Sequence, residues 1–387
     1  MYYKQDWDKA KERILAWWEG EIIDRCVVGV HALRKTSKMT TPFPEQHNGP
    51  WLGGLEKFDN DQEAIVKWWT DPEENYNRMI TWFENNYFGG EAIPCTYVNW
   101  GAMAMSSFYG SEPYFSQTTV WYPETIHDWD NWEWKFDPKT DKYWNIIKAI
   151  TKCFLERNEG RYFIGTPELG NGGDVLSLMR GMGQLSIDLI EEPEPVKKAV
   201  DIISDTWVEL MEEVYNQTYE ANDNGGVLAW MGIWAPGRTD QIACDYSIVI
   251  SPQHFQEFFV PEILKMGNWS EYGVYHLDGP QCMQNMLDTI LEIEQIHTIQ
   301  WTPGVGSPPT YSPQYMPKYR KILESGRQLY LLAKAKDIEG ILSELPTKGL
   351  YLRTDVDTED EANDLLKKVE RWSVKGNQVS MSNATES

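Results

Sequence analysis

One alternation repeats along almost the whole chain: a short apolar run, then a stretch with helical spacing. The runs are Cys26–Val30, Cys95–Asn99, Tyr162–Thr166, Val227–Trp234, Gly273–Leu277, Thr298–Trp301, Gln328–Ala333 and Gly349–Arg353. They are bounded by turn residues and short enough to be buried strands. Helical stretches intervene at 174–190, 193–222, 252–271, 280–292, 312–325, 335–344 and 358–372. Another precedes the first run over 4–20, where Trp7, Ile14, Leu15 and Trp18 recur at helical spacing. Strand and helix in alternation imply a parallel sheet with crossover helices. Eight such units favour a closed (β/α)8 TIM barrel, an α/β fold, over an open sheet.

A barrel with insertions accommodates 387 residues as one domain. The sequence predicts that domain over 1–373, with an N-terminal helix and loop insertions at about 36–60 and 101–143. A polar tail over 374–387 is expected to fray.

A parallel barrel carries its chemistry just beyond the C-terminal ends of its strands. That rule selects His31, Asn99, Trp100, Glu168, Asn171 and Asp174 from the first three units. From the fourth and fifth it selects Trp234, Arg238, Asp240, Cys244, Asp245, His276 and Asp278. Gln300, Trp301, Lys334, Arg353 and Asp355 complete the set. His276 and Asp278, in YHLDGP, stand two apart and project to one face of a strand. A histidine beside a carboxylate binds a divalent metal, acts as a base with its orienting partner, or forms a structural pair at the rim. Glu168 and Asp174 flank the turn GNGG, whose amides suit an anionic or polyhydroxyl group. Asp174 reads foremost as a helix N-cap. Trp100, Trp234 and Trp301 offer rings to a flat ligand, a sugar face or a methylated cation, or else cap the core. The predicted catalytic residues are His276, Asp278, Glu168 and Asp355. The predicted substrate-binding residues are His31, Asn99, Trp100, Trp234, Asp245, Trp301 and Arg353.

The charge balance, 35 basic against 59 acidic residues, gives −24 and repels nucleic-acid phosphates and anionic lipid. No apolar run approaches the roughly 18 residues of a membrane helix, and the first residues lack a signal-peptide pattern. The five cysteines form no CxxC pair and no disulfide framework. A reduced, cytoplasmic enzyme acting on a small molecule is expected. The many aromatic residues, 19 Trp and 20 Tyr among them, would suit a homodimer face.

Five segments, taken in order, resemble the uroporphyrinogen decarboxylase superfamily, which includes the decarboxylase and the cobalamin-linked methyltransferases. They are DRCVVGVHALR, IPCTYVNWGAMAMSSFYG, TPELGNGGDVLSLMRGMGQLSIDLIEEPEPVKKAVD, CDYSIVISPQHFQEFFVPEILK and VYHLDGPQCMQNMLDTILEIEQIHTIQW. The resemblance spans about residues 20–355, and its most specific part is SPQHFQEFFVPEI followed by a strand ending in His. It implies the (β/α)8 barrel. Porphyrinogen decarboxylation is not implied: where the decarboxylase has an arginine-rich segment, this chain has VHALRK, with Arg34 and Lys35 alone. Zinc-dependent methyltransferases of the superfamily carry His-x-Cys on the fifth strand and a further Cys near the end of the barrel. Here Asp278 takes the place of the first Cys, and YLRTDVD holds none. The implied metal site, for zinc or another divalent ion, uses His276 and Asp278 with Cys282, or Cys244, as an extra ligand. The alternative is a barrel without metal. The implied reaction moves a methyl group from a small O- or N-methyl compound to a corrinoid on a partner protein. The competing reading is a carbohydrate-active acid/base enzyme, with Glu168 and Asp278 or Asp355 as its carboxylate pair.

Overall fold

The computed structural model describes residues 1–38 and 58–384. Most of the insertion predicted at 36–60 therefore lies outside the described residues. The strands are β1 Val27–Leu33, β2 Asn86–Gly90, β3 Cys95–Thr96, β4 Tyr114–Phe115, β5 Val120–Trp121, β6 Phe163–Ile164 and β7 Gly226–Leu228. They continue as β8 Ile233–Ala235, β9 Gln241–Ala243, β10 Gly273–Asp278, β11 Ile296–Thr302, β12 Gln328–Leu332 and β13 Leu350–Thr358. Seven of them form one sheet in the order β2-β1-β13-β12-β11-β10-β9, parallel throughout except for β2 at the edge. β3 and β6 pair in parallel as a second, two-stranded sheet. Just past β6, Thr166 N–H donates to Val227 O on β7 (2.9 Å), while Glu91 N–H, following β2, donates to Val28 O on β1 (3.0 Å).

The long strands are apolar on both faces over their first half, as parallel strands between two layers must be. Val28, Val30, Tyr275, Leu277, Ile299, Leu329, Leu331 and Leu352 pack into a large core under the helices. Val27, Val274, Tyr330 and Tyr351 pack the other way, into a smaller core with the N-terminal helix Trp7–Trp18 and the β7/β8 hairpin. That helix buries Trp7, Ala10, Ile14, Trp17 and Trp18 along one stripe. Further along the strands the second face turns polar, with His31, Arg353, Asp355, Gln300, His276 and Asp278, and this is where chemistry becomes possible.

One expected strand is corrected. The run 227–234 is not a barrel strand but an antiparallel hairpin, β7/β8, turning through 229–232 with Gly232 at φ +65°. Its continuous hydrophobicity reflects burial on every side, which periodicity alone does not distinguish from one strand. Trp18 Nε1 donates to Trp234 O (2.9 Å) from the covering helix. The strand that pairs with β10 is β9, only three residues long and set among polar residues.

A buried ion pair fixes the start of β1. Arg25 Nη1 and Nη2 lie 2.6 and 2.9 Å from the two oxygens of Glu91, and Glu91 Oε2 also accepts from Val28 N–H at 2.9 Å. The segment 101–143 contains β4, β5 and a 3-10 turn, Ala104–Tyr109, and lays Trp129, Trp132 and Trp134 against the large core. The last helix runs Glu359–Ala384, so the backbone stays helical past 374, where the sequence predicts a polar tail. No described helix is long and apolar enough to cross a membrane.

Candidate active site

His276 stands opposite Gln300 in the parallel register of β10 and β11. Its Nδ1 meets Gln300 Oε1, while Gln300 Nε2 donates to Thr302 Oγ1 at 3.0 Å. The threonine holds the amide with its oxygen toward the ring. The network thus makes Nδ1 the donor and leaves Nε2 to face the site. Asp245 Oδ1 lies 3.9 Å from that Nε2. Asp245 enters from the 3-10 turn Asp245–Val249 that follows β9, and its buried Oδ1 accepts no hydrogen bond. Donor atoms of Asp245, His276 and Asp278 all lie within 4.8 Å of one another. Two carboxylates and an imidazole form a nitrogen–oxygen set suited to a divalent cation, and an acceptor left without a donor fits such an ion.

Cys282 does not join them. Its Sγ lies 3.2 Å from Ser247 Oγ, and burial pushes the thiol up to about 11. The third donor at the cluster is Asp245, selected from the sequence as a substrate-binding residue.

Glu168 follows β6 and accepts a hydrogen bond from Tyr97 Oη at 2.8 Å. Burial raises its pKa to about 7; the Tyr97 hydrogen bond and the His276 charge oppose the rise, and the Asp245 charge adds to it. Glu168 is therefore a carboxyl that still carries a proton close to neutrality.

Across the sheet, β1 and β13 place His31 opposite Asp355, with Nδ1 and Oδ1 3.5 Å apart. Arg353 Nη2 lies 3.5 Å from the same Nδ1, and Arg353 Nη1 donates to Trp230 O at 2.9 Å. Burial, and then the Arg353 charge, push the His31 pKa down. Desolvation pushes Asp355 up, but the His31 hydrogen bond, its charge and that of Arg353 hold the carboxyl below its usual range. Trp230 links the two groups, because its ring also sits edge-to-face on His276, centroids 5.2 Å apart and planes at 89°.

The other selected residues lie elsewhere. Asn99 closes a turn, accepting from Gly101 N–H at 2.8 Å. Trp100 is 1% exposed, donates to Trp69 O (3.2 Å) and packs edge-on against Phe115 and Tyr143. Trp234, also 1% exposed, donates to Asn222 O (2.7 Å) and packs against Trp7. Trp301 is fully buried against Tyr315. Strand alternation explains the last case: Gln300 faces the site, so its neighbour cannot. None of the three indoles presents an open face.

The glycine-rich turn is filled from within. Gly173 N–H donates to both oxygens of Glu262, at 3.1 Å each, and Glu262 is 1% exposed on the helix Val260–Trp269. The group held at GNGG is thus this chain's own Glu262 carboxyl at a helix N-terminus, and burial raises its pKa well above the usual carboxylate range. Asp174 is not the cap; Asn171 occupies that position, and Asp174 accepts from Tyr246 N–H at 2.8 Å, anchoring the neighbour of Asp245. Burial, and then the Asp245 charge, raise Asp174 to about 8. A Cβ at Gly172 would lie 2.2 Å from Glu262 Oε2. Gly172→Ala is therefore expected to lower stability by ~1–3 kcal/mol in urea unfolding, and an unchanged midpoint would show that the carboxylate yields without cost.

Sequence reasoning missed Trp230, Tyr97 and Glu262 and gave Gln300 no role. Gln300 had a usable signal, being on the inward alternation of β11; Glu262 had none. No family model matches the chain, and no curated protein does. Among solved structures it is similar to a methyltransferase from Methanosarcina mazei, with a TM-score of 0.55 at 13% identity over 94% of this chain and 98% of that one. At that identity the likeness is one of fold, carried along nearly the full length of both chains.

Proposed function

We propose that the chain is a methyltransferase-type enzyme on a single (β/α)8 barrel domain spanning 1–373. β1, β3, β6, β9, β10, β11, β12 and β13 form the ring, and the β7/β8 hairpin fills its lower end. Supporting this ring, Thr166 Oγ1 donates to Asp240 Oδ1 at 3.0 Å, which brings the end of β6 to the start of β9. The enzyme takes a methyl group from a small O- or N-methyl compound and passes it to a corrinoid held by a partner protein. The observation that carries the reading is the convergence of Asp245, His276 and Asp278 within 4.8 Å, on a fold shared with a methyltransferase.

Those three residues would hold zinc or another divalent ion. When bound, it supplies Lewis acidity that draws electrons from the heteroatom leaving the methyl group. Gln300 keeps the His276 nitrogen directed at the site. Glu168 delivers its proton to the leaving heteroatom, which departs with the bonding pair while the acceptor gains the methyl. His31, Arg353 and Asp355 line the opposite wall and bind the rest of the substrate. The carbohydrate reading calls for open indole platforms, and Trp100, Trp234 and Trp301 are all packed away.

The test is methyl transfer from a panel of methoxylated and N-methylated compounds to reduced free cobalamin, with zinc added. Silence across the panel overturns the reading. The acid form of Glu168 is the working one, so the rate should fall as pH rises through about 7. In Glu168→Gln the rate should drop ~10²–10⁴-fold and that alkaline limb should vanish. A limb that persists in the variant would belong to another group.

A further inference from the structure

The turn between β7 and β8 reaches both halves of the site, and its backbone is clamped from several strands. Cys95 Sγ donates to Ala229 O (3.5 Å), Arg353 Nη1 to Trp230 O (2.9 Å) and Tyr330 Oη to Met231 O (2.6 Å). A Cβ on Gly165 would sit 2.5 Å from Ala229 Cβ, so β6 approaches as closely as bare backbone allows. Trp230 Nε1 donates to Gln241 Oε1 on β9. With backbone and indole nitrogen both tied, the ring has one place to go, edge-to-face on His276. Ala229 and Met231 are buried and fill the core, whereas Trp230 is only half-buried. Its ring packs against both cores and, with its remaining edge, on His276.

We propose that Trp230 is the positioning residue for His276. One hydrogen bond, donated to Gln300 Oε1, leaves an imidazole free to rock about the Nδ1 contact. The indole edge blocks that motion and keeps Nε2 directed at Asp245 and Asp278. The inference rests on the reading of His276 as a ligand, not on methyl transfer. The contacts to Arg353, Tyr330 and Cys95 run through main-chain oxygens at 229–231, so side-chain variants report on the indole alone.

The experiment is 15N NMR of the histidine rings in the metal-free protein, with His276 identified by its loss in H276A. Wild type should show one ring pattern, with a proton on Nδ1 facing Gln300 Oε1. Trp230→Ala should show mixed tautomers, and Trp230→Phe should restore most of the single pattern. Trp230→Leu serves if the alanine void unfolds the chain. Affinity for Co2+, read from its visible absorption, should fall ~10–100-fold in the alanine or leucine variant, as loss of a group that orients a metal ligand does. An unchanged tautomer pattern in a folded Ala or Leu variant overturns the proposal. Neither measurement uses a methyl donor, so failure of the transfer reaction leaves the result standing. A wild-type protein that takes up no Co2+ would sink the metal reading, while the tautomer pattern would still decide the role of Trp230.

Discussion

His276→Ala should lose bound zinc and methyl transfer together while the fold persists. On the proposed reading the ring contributes one of three donors, and its removal leaves Asp245 and Asp278 without the imidazole nitrogen beside them. Loss of a direct ligand should cost more than the ~10–100-fold in metal affinity that an outer-shell loss costs, and Gln300→Ala should fall in that lesser range. Stability should change little, because the contacts of His276 are with the half-buried Trp230 ring and one amide. Metal analysis of the purified variants, paired with transfer to cobalamin, gives the answer. Zinc retained at wild-type stoichiometry in H276A would remove His276 from the site.

Glu91→Ala should be the most destabilising single change proposed for this chain. Arg25 is 4% exposed and Glu91 fully buried, and the carboxylate also receives Val28 N–H. Removing it strands a guanidinium and an amide donor in the interior, at a cost of ~3–5 kcal/mol, a large part of the ~5–15 kcal/mol that holds a typical domain. Replacing both partners, as in Arg25→Met with Glu91→Leu, should recover most of the loss, since the pair was itself desolvated. Urea unfolding followed by tryptophan emission measures both. A loss under ~1 kcal/mol in the single variant, the size of an ordinary substitution, would mean water reaches the arginine.

The strands that the sequence revealed best are those buried on both faces. In β10 the residues Val274, Tyr275, His276, Leu277 and Asp278 alternate between two cores and then between core and site, so His276 and Asp278 share a face by spacing alone. The strand-end rule selected both Gln300 and Trp301 and gave the binding role to Trp301, whereas alternation sets Gln300 beside His276 and Trp301 in the core. β9 escaped notice because three residues carry no period. The hairpin escaped because burial on all sides erases the difference between one strand and two. Glu262 enters the glycine turn from 89 residues later in the chain, and Asp245 rather than Cys282 lies with His276 and Asp278; both outcomes depend on tertiary packing that no local pattern encodes.

The N-terminal helix has a consequence for the order of assembly. Trp17 Nε1 donates to Gly349 O (3.0 Å), and Gln328 Nε2 donates to Trp17 O and Trp18 O (3.2 and 3.1 Å). These bonds span more than three hundred residues, so the first helix closes against strands near the other end of the chain. During synthesis the first helix leaves the ribosome early, yet Trp17, which packs on Tyr351 and bonds Gly349 O, has no permanent cover until the final strands emerge. A chain arrested before that point would expose that indole to chaperones and to other unfinished copies, and completing the sheet would end that exposure.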